Sequence, residues 1–217
     1  MRKTEDYAEC TYCGKTEKAD YICVESHYIC EECRLAKPEE IVRKTCMSTK
    51  MLDPLKVAVL IMKHPAIPIH GPEHHYIVSC SILASLRNLG VFNIDGFTFG
   101  RAISRAKRIV YGSCGLLGVC GAAAGVGIAV SIALNANMMS DKERSLAMKA
   151  TSEALDAIQR LGGPRCCKLS TYTAIITAVR FFKIELGISI PMNENLTPCW
   201  FRFRNSECLK EKCPYYV

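Results

Sequence analysis

Cys10 and Cys13, then Cys30 and Cys33, form two Cys-x-x-Cys pairs with sixteen residues between them. Two such pairs can close a tetrahedral thiolate cage around a zinc ion, and Gly14 permits the tight turn that wraps the backbone round the metal. The surrounding segment has too little apolar surface to fold alone. Metal binding, worth roughly 10–16 kcal/mol in such peptides, is therefore the expected source of its stability. The intervening ADYICVESHYI reads as a hairpin that joins the pairs, with Cys23 and His27 as spare ligands or packing groups.

Seven further cysteines lie beyond residue 110. In CGLLGVCG, Cys114 and Cys120 are each followed by glycine, which lets backbone N–H groups approach a sulfur, a sulfide or an anion. GGPRCCKLS puts Cys166 and Cys167 at the mouth of a helix between Arg165 and Lys168, where a thiolate is favoured and a lowered pKa is expected. Neighbours at a helix start point in different directions, so one thiol faces a site and the other packs, unless they form a vicinal disulfide. The tail PCWFRFRNSECLKEKCPYYV carries Cys199, Cys208 and Cys213, the last followed by proline as in many iron–sulfur ligand runs. Three thiols are one short of a four-thiolate [4Fe–4S] site. The fourth ligand is open among Cys166, Cys167, Cys114, Cys120 and a histidine. Four histidines fall between residues 64 and 75, and HGPEHH makes His74 a candidate proton donor or extra ligand. The competing reading is plain packing, since buried cysteine behaves as a small hydrophobe.

Those residues need a scaffold, and the pattern divides the chain in two. Residues 1–36 are polar and cysteine-dense, a small zinc-ribbon-like module. Residues 37–217 read as an all-α domain, so the expected fold is mainly α. Asp53 and Pro54 start a helix that Pro65 ends, Pro72 and Glu73 start another that Gly90 stops, and Pro38 begins a third. Ser140 and Glu143 have capping-box spacing ahead of an apolar stripe through Leu146, Ala150, Ala154, Ile158 and Leu161. After the cysteine pair, Tyr172, Ile175, Ile176, Val179, Phe182 and Leu186 form the buried face of an amphipathic helix. Outside the module only VFNIDGFTF (91–99) reads as a strand. The run 115–136 is long and uncharged enough to suggest a membrane span, but its glycines fit a buried, tightly packed helix better.

Fourteen cysteines in 217 residues would suit a disulfide framework in an exported chain. MRKTEDYAEC holds no signal-peptide-like apolar stretch, which favours reduced thiols in the cytoplasm. The net charge of +7 gathers in the clusters Arg101, Arg105, Lys107, Arg108 and Arg202, Arg204, Lys210, Lys212. Such clusters can attract nucleic acid, yet no nucleic-acid signature accompanies them and a solvated face explains them as well.

HPAIPIHGPEHHYIV, CGLLGVCGAAAGVGIAVSI, GGPRCCKLST and ECLKEKCPYY, in that order behind the two-pair module, resemble the domain-of-unknown-function family numbered 5714. The resemblance implies an anaerobic setting, in methanogenic archaea and anaerobic bacteria, which suits oxygen-sensitive clusters; it implies no established reaction. Cys80 and Lys168 stand where its members tend to have proline and arginine, so Cys80 is the weakest ligand candidate. The function expected is that of a metal-binding protein with structural zinc and a second cysteine-lined site, an iron–sulfur or sulfur-handling centre. In that site Cys166 or Cys167 would be reactive, with Cys114, Cys120, Cys199, Cys208 and Cys213 around a cluster, served by a redox or sulfur-transfer partner. The alternative is a zinc-ribbon binding module that contacts nucleic acid or a protein.

Overall fold

The computed structural model describes residues 2–193 and 198–216, and it is mainly α-helical. Four short strands come first: β1 (Arg2–Lys3), β2 (Tyr7–Glu9), β3 (Thr16–Lys18) and β4 (Tyr21–Ile22). β1 pairs antiparallel with β4, and β2 with β3 in the register Ala8 opposite Glu17. The hairpin is thus β2–β3, not ADYICVESHYI as the sequence suggests. That segment instead makes β4 and a tight turn in which Cys23 N donates to the His27 carbonyl at 2.9 Å. A one-turn helix α1 (Glu31–Arg34) follows.

Eight more helices follow among the described residues: α2 (Pro38–Ser48), α3 (Pro54–Lys63), α4 (Glu73–Asn88), α5 (Gly96–Ala106), α6 (Ser113–Leu116), α7 (Gly121–Ala133), α8 (Lys142–Gln159) and α9 (Cys167–Leu186). The Asp53 carboxylate accepts the Leu55 and Lys56 N–H groups at 2.9 and 3.2 Å, capping α3 with Pro54 at its first position. Two expectations fail. Residues 91–99 hold no strand; Asp95 caps α5 by accepting Thr98 N–H at 2.8 Å, a local bond that outweighs the β propensity of the phenylalanines around it. α8 lacks the Ser140 capping box, because Ser140 Oγ takes the Asn137 N–H at 3.1 Å and Asp141 stands at the N-cap without a side-chain bond.

α4 is the central helix, with its residues from Tyr76 to Leu86 all buried. α7 lies between it and α8, and α9 packs on both α4 and α8. Small residues on α7 make this possible. A Cβ on Gly125 would stand 2.6 Å from the His75 carbonyl of α4, and one on Gly127 would stand 2.8 Å from the Ala147 carbonyl of α8. The segment 115–136 is α6, a turn and α7, whose thirteen residues span only about 20 Å, too short for a bilayer core. Among the described residues no helix is long and apolar enough to cross a membrane.

Alanine at Gly125 or Gly127 gains about 1 kcal/mol of helix propensity. It also pushes a methyl into a backbone carbonyl of a neighbouring helix, and overpacking of that kind costs about 1–3 kcal/mol. The clash is expected to win, with thermal melts of Gly125→Ala and Gly127→Ala falling by a few degrees. An unchanged or raised melting temperature would contradict the close α4–α7–α8 packing.

Candidate metal centres and the chamber beside them

The β2–β3 turn presents Cys10 and Cys13, and α1 with its N-cap presents Cys30 and Cys33. Gly14 at φ 72° closes the first turn, its N–H on the Cys10 carbonyl at 2.9 Å. An isolated bridge between Cys10 and Tyr28 draws the pairs together. All four sulfurs lie within 4.8 Å of one another, with Cys13 and Cys30 3.7 Å apart. Four sulfurs about 2.3 Å from one ion stand about 3.8 Å apart, so the group can hold a metal ion. Burial pushes the thiols of Cys30 and Cys33 up; at Cys10 burial is outweighed by N–H groups, chiefly that of Cys30, and its pKa falls to about 7. Cys23 stays outside this group, 3.4 Å from His27 Nδ1 on an exposed turn. The module seats on the helices through Ser48, whose hydroxyl donates to the Tyr12 carbonyl at 2.8 Å, and through Tyr12 edge-on to His64.

The seven later cysteines fall around two neighbouring spaces, with Cys166 on the lining of both. Cys166, at the N-cap of α9, lines a small cavity of about 20 Å³ with Cys199, Cys208 and Cys213. The tail reaches it through two 3-10 turns, Arg202–Arg204 and Lys210–Lys212. Cys199 N–H on the Tyr215 carbonyl at 2.8 Å ties its ends together. Donors surround these sulfurs: Leu169 N and Asn205 Nδ2 lie 3.5 and 3.6 Å from Cys166 Sγ, and Lys210 N lies 3.4 Å from Cys208 Sγ. Asn205 is held in turn by His70, whose Nε2 donates to its Oδ1 at 2.9 Å while Nδ1 accepts Cys167 N–H at 3.4 Å. Among the described residues these four do not form a group that could hold a single metal ion, unlike Cys10, Cys13, Cys30 and Cys33.

Cys167 lines an open chamber of about 550 Å³ that it shares with Cys114, Cys120, Cys166, His74 and His75, and it does not reach the small cavity. The first turns of α4, α7 and α9 and the loop 110–119 enclose it. The lowered pKa expected of the cysteine pair is not found: burial pushes both Cys166 and Cys167 up and outweighs the N–H groups at the helix start. Arg165 offers less than expected as well, being engaged with Glu207 and the Tyr111 hydroxyl. His74 is buried with both nitrogens in use. Nδ1 donates to the Gly71 carbonyl at 3.0 Å, and Nε2 accepts from Lys168 Nζ at 2.8 Å. Burial, and then the Lys168 charge, hold it neutral far below its ordinary range. Cys80 is in the core on α4 and Cys46 on α2, with no part in either space.

A family of unknown function, DUF5714, matches residues 42–216. The chain belongs to that family. The match starts within α2, so it covers both later cysteine groups and leaves the Cys10–Cys33 module outside it. No curated protein and no solved structure matches the chain.

Sequence reasoning missed Asn205 and the role of His70, and it read Lys168 only as a cation beside the cysteine pair and Tyr172 only as part of a buried face. Lys168 and Tyr172 line the small cavity, and the Tyr172 hydroxyl is buried without a hydrogen-bond partner. His70 was visible in the histidine run, but nothing in its spacing tied it to Asn205, 135 residues away.

Chelation is expected to unfold the module alone. Treatment with a strong chelator, or Cys13→Ser, should expose residues 2–36 to rapid amide exchange while α4, α7 and α9 stay protected. Retained protection of the module without metal would mean that its four thiols merely pack.

Proposed function

We propose that the chain is a metal-dependent redox protein working in a reducing compartment such as the cytoplasm. Cys10, Cys13, Cys30 and Cys33 hold structural zinc. Cys166, Cys199, Cys208 and Cys213 hold a [4Fe–4S] cluster, which exchanges electrons with a partner carrier. The chamber beside it, lined by Cys167, Cys114 and Cys120, receives the substrate.

The observation that carries this reading is the contrast between the two four-cysteine groups. The first converges on a point, as one tetrahedral ion requires. The second lines a common cavity and is not a group of that single-ion kind among the described residues. A cubane binds each thiolate to a different iron and needs its sulfurs apart. Two features support a bound group there. Backbone and amide N–H groups approach Cys166 and Cys208, the outer contacts that stabilise metal-bound thiolate and tune a cluster. The Tyr172 hydroxyl, otherwise unpartnered, has a donor to offer a cluster sulfide or a thiolate. A cavity of about 20 Å³ is smaller than a cubane, so loading would require the short 3-10 turns of the tail to shift. When the cluster is bound, its chemistry is one-electron transfer. The chain's own residues would hold it, with Cys166 reaching the lining of both the cavity and the chamber.

Metal analysis of anaerobically purified protein tests this. One zinc with about four iron and four sulfide per chain is expected, with visible absorption that bleaches on reduction. Cys166→Ser should lose iron and sulfide and keep zinc, whereas Cys167→Ser should keep all three. A second zinc in place of iron, or equal iron loss from both variants, would refute the assignment.

A further inference from the structure

We infer that Lys168 is the charge-compensating residue of the Cys166, Cys199, Cys208 and Cys213 site and raises its reduction potential. This rests on the cluster reading above and adds a property that reading does not contain.

Lys168 is 1% exposed. A lysine so deeply buried is rare without a paired charge, because leaving water costs an isolated ammonium far more than neutral hydrogen bonds return. Its Nζ donates to the Pro68 carbonyl at 3.1 Å and to neutral His74 at 2.8 Å, and it lies 4.6 Å from the centre of the Phe201 ring. All three partners are uncharged. Among the described residues no carboxylate comes within ion-pair distance of it. The cavity that it lines contains no Asp or Glu side chain either. What the cavity does contain is four cysteines.

Arg202 is the second cation on the wall. Its guanidinium lies 4.6 and 5.2 Å from the ring centres of Phe203 and Tyr216, and no carboxylate pairs with it among the described residues. Four thiols would leave two cations beside one cavity with nothing to balance them. Four thiolates around a [4Fe–4S]²⁺ core carry a net charge of −2, which Lys168 and Arg202 match. The fixed arrangement of Pro68 and His74 around Nζ keeps the ammonium on this wall.

Reduction adds one more negative charge to the cluster. A cation held close to it in a medium far less polar than water stabilises the reduced form more than the oxidised one. Lys168 therefore makes the site easier to reduce. Arg202, half in water, does the same more weakly.

An anaerobic redox titration of wild type, Lys168→Met, Lys168→Arg and Arg202→Met tests the inference, with iron and sulfide measured on the same samples. Lys168→Met with a full complement of iron is expected to titrate at a lower midpoint potential, and Lys168→Arg close to wild type. A fully loaded Lys168→Met at the wild-type potential, or Lys168→Arg displaced as far as Lys168→Met, overturns it. If Lys168→Met fails to load, Arg202→Met carries the test: a lowered potential supports charge compensation, and an unchanged one overturns it. Wild-type protein without iron is a different failure, seen in the metal analysis before any titration, and it removes the cluster reading itself.

Discussion

Successive residues on a helix point about 100° apart, and the first turn of α9 depends on that angle more than any other part of the molecule. Cys166 at the N-cap lines both the small cavity and the open chamber, Cys167 lines the chamber, and Lys168 lines the small cavity. Three consecutive side chains thus divide themselves between two spaces, and an insertion among them would exchange their places. The Gly162–Gly163 turn before them, both residues at positive φ, brings the chain round at the angle that this requires. Gly163 also lies against Leu209 of the tail, closely enough that a Cβ there would stand 2.7 Å from it.

The rest of the body holds that turn in place. Buried apolar contacts along α4 fix the helix whose first turn carries His74 and His75. The glycine faces of α7 let it settle between α4 and α8, and Gly121 sits under the His75 ring with no room for a side chain. The chamber is therefore a consequence of helix packing: three helices begin at one end of the bundle, and the loop 110–119 spans the gap. The hydrogen bonds from Asn205 to Cys166 and from His70 to Asn205 then tie the tail to that end.

How much of this was legible in the sequence depends on the distance over which each feature is decided. Asp53 with Pro54, and the Cys-x-x-Cys pairs, act within a turn or two, and the helix start and the four-thiol group follow from them directly. The apolar stripe of α9 is equally local. Residues 91–99 read as a strand, while the Asp95 cap that starts α5 within them is a single bond. The partner of the tail cysteines stayed open among several thiols, since choosing Cys166 requires the direction of one side chain across 33 residues and the length of α9. Burial was the other hidden quantity. A helix start beside Arg165 suggests an ionised thiol, yet the depth at which Cys166 and Cys167 lie reverses the balance.

The two four-cysteine groups stand at opposite ends of the order in which the chain folds. The module has a small apolar cluster of its own, and its ligands precede the long helices. A metal there is a nucleus around which a short segment condenses. The second group takes three of its cysteines from beyond α9, after the extensive core of the helical body. That body has apolar surface enough to pack before its tail arrives. Loss of order would therefore reach the two groups differently: the module depends on what its four thiols hold, while the tail closes over a body already packed.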